Sequence, residues 1–245
     1  MIHPNIRLFV SDMDSTMIAN ECIDEMARIL DEKTPVAGAA HHYFNQVQAI
    51  TKATMDKEAL TFEQSLTTRI KILADAKFQE AWLPGIYARI RPMEGAEHLL
   101  THLTTHGVHT VLVSGGFTFF AEKVAARLGF NEFHANVLEF ADGTLSGVRG
   151  PNANGKKILD GAGKLHIMQT IMKEKQIAPH AVCAIGDGSN DAAMVGAAAY
   201  GIAFRTKNPT LLSAASHTAE HLSEVRPIMA GAARSNGWRP RNTFI

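Results

Sequence analysis

Three short stretches carry most of the side chains that can do chemistry. Asp12 and Asp14 stand two apart in Phe9-Val10-Ser11-Asp12-Met13-Asp14-Ser15-Thr16. Ser114 and Gly115 stand in Val113-Ser114-Gly115-Gly116-Phe117-Thr118, and Asp187, Asn190 and Asp191 in Gly186-Asp187-Gly188-Ser189-Asn190-Asp191. In an extended chain Asp12 and Asp14 share a face, and a bend there lets the second carboxylate lean over the first. Such a pair suits two roles, an ionised nucleophile and a group that moves a proton. Asp187, with Asp191 behind it, brings more negative charge into the same small space. That density is unfavourable without a cation. A hard divalent ion with oxygen ligands relieves it, and Mg²⁺ suits a phosphate substrate because it keeps water-filled positions for phosphate oxygens. Taken singly, each aspartate reads equally well as a turn former or helix N-cap. Together, the acidic and hydroxyl-bearing stretches favour a site.

These stretches need elements that bring them together. Each follows a short apolar run: 7–11, 109–113 and 181–185, with 200–204 as a fourth. Continuous apolar runs of this length read as buried parallel strands. Amphipathic stretches at 96–105, 118–128, 165–175 and 190–198 alternate with them. The fold class is therefore α/β, a doubly wound, Rossmann-like parallel sheet. In such sheets ligands bind beyond the carboxyl ends of the strands, where the three stretches would converge. Residues 21–89 contain no convincing strand. They read as helices at 21–30, 37–51, 62–73 and 77–81, a cap inserted after the first strand. The expected division is a core of 1–19 and 90–245 and a helical cap of 20–89. Asp142-Gly143 between two alternating stretches is a hairpin signal; 150–163 reads as a loop, and the tail from Ala230, including Trp238, has weak periodicity.

The bulk numbers are ordinary for a soluble globular protein able to bury a sizeable core. The chain has 245 residues, 46% hydrophobic and 20% charged, with zero formal net charge. Nothing in that balance suggests a nucleic-acid track or a membrane surface. Cys22 and Cys183, the two cysteines, make no disulfide framework and read as small buried hydrophobes. The N-terminus lacks the basic and apolar regions of a signal peptide, and no apolar run approaches the ~20 residues a bilayer span needs. The expectation is a cytoplasmic protein, a monomer or a homodimer.

The ordered motifs resemble the haloacid dehalogenase superfamily of phosphatases, in its phosphoserine phosphatase branch. The resemblance runs from about Leu8 to Ala219 and includes Phe62-Glu63-Gln64-Ser65-Leu66-Thr67-Thr68-Arg69 in the cap. The branch usually has Phe where this chain has Met13. The resemblance implies that Asp12 attacks phosphorus and becomes an aspartyl-phosphate. Asp14 then protonates the departing serine oxygen and activates the hydrolytic water. It implies Mg²⁺ held by the Asp12 carboxylate, the Asp14 backbone carbonyl and Asp187, with Asp191 supporting from behind. Ser114 and the Gly115 amide would bind phosphoryl oxygens, and Asn190 joins the substrate-binding set. The branch also has a lysine near the start of the helix before the Gly-Asp-Gly strand. Lys156, Lys157 and Lys164 lie in the right region. Lys164 is favoured because it opens an apolar-periodic stretch at the right separation from Asp187.

In the same branch Glu21 meets the ammonium and Arg69 the carboxylate of a phosphoserine, as their charges suit. Phe62 and Met55 would wall its methylene. Alone, Glu21 reads as a helix-start residue, Arg69 as a surface charge and Phe62 as plain core. The implied reaction is Mg²⁺-dependent hydrolysis of O-phosphoserine, the last step of serine biosynthesis. A capped phosphatase or phosphotransferase for another small phosphomonoester is the near alternative. A catalytically dead binding member is a different class, permitted by the fold alone. A dinucleotide-binding reading fits poorly, for no Gly-x-Gly-x-x-Gly follows the first strand.

Overall fold

Leu8–Ser11 forms β1, a strand buried along its whole length. The computed structural model describes residues 6–57, 60–151 and 157–231, with the side chains of 54–57 outside that description. The other strands are β2 (His109–Phe117), β3 (Glu132–Ala141), β4 (Thr144–Arg149), β5 (Val182–Gly186), β6 (Tyr200–Phe204) and β7 (His217–Ala219). They form a seven-stranded sheet in the order β4-β3-β2-β1-β5-β6-β7. Every pairing is parallel except β3 with β4. In register, Ser11 lies beside Leu112 on one side and Ile185 on the other. The ends of β1 and β5 and the irregular last part of β2 therefore meet at one edge, bringing Asp12, Asp187 and Ser114 together.

Helices cover both faces. Between β1 and β2 lie α1 (Cys22–Lys33), α2 (His42–Lys57), α3 (Phe62–Asp75), α4 (Leu83–Tyr87) and α5 (Ala96–Thr105). Then follow α6 (Thr118–Leu128), α7 (Gly161–Glu174), α8 (Ala192–Ala197), α9 (Pro209–Ala214) and α10 (Val225–Met229). Alternate strand residues feed two cores. Phe9, Leu112 and Ile185 pack with α1, α5 and α6, while Leu8, Val10, Val111 and Val113 pack with α7 and α8. Each fully buried aliphatic or Phe side chain contributes roughly 1.5–3 kcal/mol.

The helical insert leaves and rejoins the core through two paired linkers. Ala19 N–H donates to the Arg91 carbonyl and Met93 N–H to the Met17 carbonyl, each at 2.8 Å. The insert also docks on the β3–β4 hairpin. Leu145 N–H donates to the Phe78 carbonyl and Glu80 N–H to the Gly143 carbonyl, each at 2.8 Å. This docking replaces the helix expected at 77–81: Lys77 turns to φ 61°, and a 3-10 turn at Glu80–Trp82 leads into α4.

Other boundaries also move. The helix expected at 37–51 begins at His42, where the Asp31 carboxylate accepts Tyr43 and Phe44 N–H at 2.9 and 3.0 Å. The end of the expected loop 150–163 is the first turn of α7, because Asp160 caps it by accepting Gly163 N–H at 2.8 Å. The helix expected at 190–198 opens as a 3-10 turn, Ser189–Asp191, before α8. β7 has only three residues and was not foreseen. Lys156 and the tail beyond 231, with Trp238, lie outside the described residues.

Candidate active site

After β1 the chain wraps around one carbonyl. Met13 C=O accepts the N–H of Thr16, Met17 and Ile18 at 3.3, 2.9 and 3.0 Å, and Ser15 sits at φ 53°. The bend delivers Asp14 to the start of α1, where its Oδ1 accepts Cys22 N–H at 2.9 Å. Asp14 thus performs the capping that its neighbour Glu21 was open to. Glu21 occupies the N-cap position without a side-chain cap bond; its Oε1 instead accepts the Ser15 hydroxyl at 2.5 Å.

Lys164 is fully buried, and its ammonium donates to Asp12 Oδ1 at 2.6 Å and Asp191 Oδ1 at 2.7 Å. The other Asp191 oxygen accepts Asp187 N–H at 3.1 Å and Gly188 N–H at 3.0 Å. Asp191 therefore fixes both the lysine and the loop that carries Asp187. Asp187 Oδ1 accepts the hydroxyl of buried Thr16 at 3.1 Å. Carboxylate oxygens of Asp12, Asp187 and Asp191 lie within 4.8 Å of one another. Lys157 is exposed and does not line the cavity.

Ser114 is fully buried beneath the cavity wall, where its Oγ accepts Gly116 N–H at 2.9 Å. Gly115 and Gly116 themselves form the wall, and the close approach requires glycine. A Cβ on Gly115 would stand 2.5 Å from Phe62 Cζ, and one on Gly116 would stand 2.7 Å from Asp14 Oδ2. Phe62, from the first turn of α3, thus lies across the β2 end.

These groups face a cavity of about 780 Å³ between the strand ends and the insert. Asp12, Asp14, Glu21, Asp187 and Asn190 line it, together with Phe62 and Arg69 of α3. Arg69 is 9% exposed, and its guanidinium donates to the Ser65 carbonyl and the Thr51 hydroxyl, each at 3.3 Å. The sequence reading missed Thr16, Thr51 and two cations on the rim, Arg205 and Lys207. The rim pair follows β6, a recognisable strand, and that position was their available signal.

Burial sets the electrostatics. It pushes Asp12 up to about 7, with Asp191 and Asp14 adding to the rise and Lys164 opposing it. It raises Asp14 as well, against the Cys22 hydrogen bonds. Glu21 opens on the cavity but is flanked by protein, and desolvation with the Asp14 charge pushes it up to about 8. Asp187 rises well above the usual carboxylate range through burial and then Asp12 and Asp191. Burial alone would lower Lys164, but its attraction to Asp12 and Asp191 wins and raises it. The site is short of positive charge. Its donors are hard oxygens, and these residues fit a hard divalent cation.

A family model for haloacid dehalogenase-like hydrolases matches residues 9–195. The chain belongs to this family. A phosphoserine phosphatase of Idiomarina loihiensis is 40% identical over 212 residues, covering 86% of this chain and 87% of that one. One of Methanocaldococcus jannaschii is 35% identical, covering 82% and 86%. A longer one of Archaeoglobus fulgidus is 35% identical over 82% of this chain but 53% of its own length. A solved phospho-aspartyl intermediate analogue of phosphoserine phosphatase superposes with a TM-score of 0.76 at 34% identity, covering 90% of this chain and 97% of that one. Within the hydrolase family the chain falls in the phosphoserine phosphatase branch.

Proposed function

We propose that this protein hydrolyses O-phosphoserine to serine and phosphate with the help of Mg²⁺, as the last step of serine biosynthesis. One observation carries the chemistry: buried Lys164 joins Asp12 to Asp191, with Asp187 alongside, behind a cavity that Asp12 and Asp187 share with Glu21 and Arg69. The relatives' activity supports the substrate.

The Asp12 carboxylate attacks phosphorus in line with the serine oxygen. The bond to that oxygen breaks, and Asp14 gives it a proton. Burial favours the protonated form of Asp14, which suits a general acid. Asp14, now ionised, takes a proton from a water that attacks phosphorus, and the bond to Asp12 breaks to release phosphate. Lys164 holds the Asp12 carboxylate in one orientation throughout. The Gly115 amide receives a phosphoryl oxygen beside Asn190, and the Ser114 hydroxyl, buried behind the Gly115–Gly116 wall in this structure, would have to turn toward the cavity to receive another. Mg²⁺ would be held by the Asp12 and Asp187 carboxylates and the Asp14 carbonyl, and when bound it offsets the phosphate charge. Asp191 braces this arrangement from behind.

Glu21 receives the substrate ammonium and Arg69 its carboxylate, with Phe62 against the methylene. The insert, taken as residues 20–89, acts as a cap that excludes bulk water during transfer. No helix among the described residues is long and apolar enough to cross a membrane. The protein acts in the cytoplasm as a monomer or homodimer.

The test is phosphate release from a panel of small phosphomonoesters with Mg²⁺, repeated with Asp12→Asn. Phosphoserine should be the best substrate and Asp12→Asn should abolish its turnover. Full activity in that variant sinks the mechanism. A better substrate, or phosphate passed to an added alcohol, selects the alternative phosphatase or phosphotransferase.

A further inference from the structure

The pairing of β2 with β3 breaks at the catalytic edge. Val113 pairs with His134, but the next pair is Phe117 with Asn136. Ser114, Gly115 and Gly116 therefore lie in a bulge of β2 that β3 cannot follow with its backbone. Asn136 fills the gap with its side chain. It is fully buried. Its Nδ2 donates to the Gly115 carbonyl at 2.8 Å, and its Oδ1 accepts Leu159 N–H at 2.7 Å.

Each bond reaches a different part of the site. The Gly115–Gly116 peptide is held at both ends, its carbonyl by Asn136 and its N–H by Ser114 Oγ at 2.9 Å. That fixes the wall that faces the transferred phosphoryl group. Leu159 directly precedes Asp160, the N-cap of α7. Lys164 N–H donates to the Asp160 carbonyl at 2.9 Å in the first turn. One carboxamide thus ties the phosphoryl-binding bulge to the start of the helix that carries Lys164. The two segments meet in space but are far apart in sequence.

We propose that Asn136 is a positioning residue for phosphoryl transfer, setting the distance between the Gly115 peptide and Lys164 through its two buried hydrogen bonds. Asn136 touches no reacting atom, and it lies outside the cavity lining. A buried amide whose donor and acceptor are both used is rigid, and either bond left unmade exposes an orphan polar group. Small displacements of a phosphoryl-binding peptide reduce transition-state stabilisation more than ground-state binding. The inference rests on the phosphatase reading and adds to it.

The test uses the full chain with saturating Mg²⁺. Asn136→Leu keeps the volume and removes both bonds; Asn136→Ser leaves room for a bridging water. Vanadate serves as the transition-state mimic. In Asn136→Leu, kcat and vanadate affinity should fall together by about 10- to 100-fold, the range for groups that orient a site from behind. KM for phosphoserine should stay within about threefold, and Asn136→Ser should recover part of the loss. Unchanged kcat and vanadate affinity, or a loss confined to KM, overturns the proposal. Should the variants not fold, the wild-type protein still decides. Its Asn136 side-chain NH₂ and Leu159 amide resonances should shift when vanadate binds, and unmoved resonances overturn it. Wild-type protein that turns over no phosphoserine while those resonances move on vanadate sinks the substrate assignment but supports the role of Asn136.

Discussion

Replacing Lys164 by Met tests the electrostatic account most directly. The ammonium is fully buried and sits 2.6 Å from Asp12 and 2.7 Å from Asp191. Its loss leaves two buried carboxylates facing each other. Breaking a buried ion pair from one side costs about 3–5 kcal/mol, a large part of a typical stability of roughly 5–15 kcal/mol. The penalty must also vary with pH. Lys164 itself stays charged across the neutral range, because its proton affinity is raised. Asp12, already pushed up to about 7 with the lysine present, climbs further without it. A carboxyl raised by folding contributes its full stability only below its unfolded value near 4. That contribution is lost as pH rises through the folded value. Lys164→Met should therefore be destabilised least near pH 5 and most above pH 8. Urea unfolding of both proteins without Mg²⁺ at pH 5.5, 7 and 8.5 measures this. Turnover should fall about 10³-fold, the upper range for loss of one preorganised donor. A stability loss under about 1 kcal/mol, or one independent of pH, refutes the reasoning.

Three further outcomes follow from the same geometry. Arg69→Ala should raise KM for phosphoserine by about 10- to 100-fold, the worth of a hydrogen bond to a charged group, while p-nitrophenyl phosphate turnover barely changes; equal damage to both substrates makes Arg69 structural. Mg²⁺ should raise the melting temperature more at pH 8.5 than at pH 5.5, since Asp12 and Asp187 must lose protons to receive it and both are raised by burial; a larger gain at pH 5.5 contradicts the assignment. Gly115→Ala should lower kcat/KM about tenfold through overpacking against Phe62, and adding Phe62→Ala should restore part of it. A double variant no better than the single one removes that contact from the account.

Much of this architecture was legible in local patterns. β1, β2, β5 and β6 are short, continuous apolar runs, and their ends announce the residues at the catalytic edge. Several departures come from contacts between segments apart in sequence. Asp31 sets where α2 begins by taking two of its N–H groups. Phe78 and Glu80 give up a helix to hydrogen-bond the hairpin around Gly143. β7 is too short to show alternation and is held by its neighbour β6. Within the site, Asp12, Asp14 and Asp187 stand out as acidic residues ending apolar runs, whereas Lys164 is singled out among three lysines only through the family resemblance. Thr16 and Asn136 were not readable. Each is an ordinary polar residue whose role exists only through a partner 171 or 21 residues away.

The same residues explain why the site needs a visitor. Asp12, Asp14, Glu21 and Asp187 line one cavity with Asp191 buried behind them, and among the described residues only Lys164 and Arg69 are buried cations nearby. Such an excess of negative charge is relieved by protons or by metal, and either choice has a chemical consequence. A proton placed on Asp14 makes it an acid ready for the leaving oxygen. A proton placed on Asp12 would silence the nucleophile. Lys164 separates the two fates, since it bonds Asp12 directly and leaves Asp14 to the amide of Cys22. A divalent cation held by Asp12 and Asp187, as proposed, would strengthen that separation by lowering the proton affinity of the carboxylates it touches. Under the proposed mechanism Asp12 would then be the carboxylate while Asp14 keeps a proton to give. Two aspartates with the same side chain can then play opposite parts, and the difference between them is set by what each one touches.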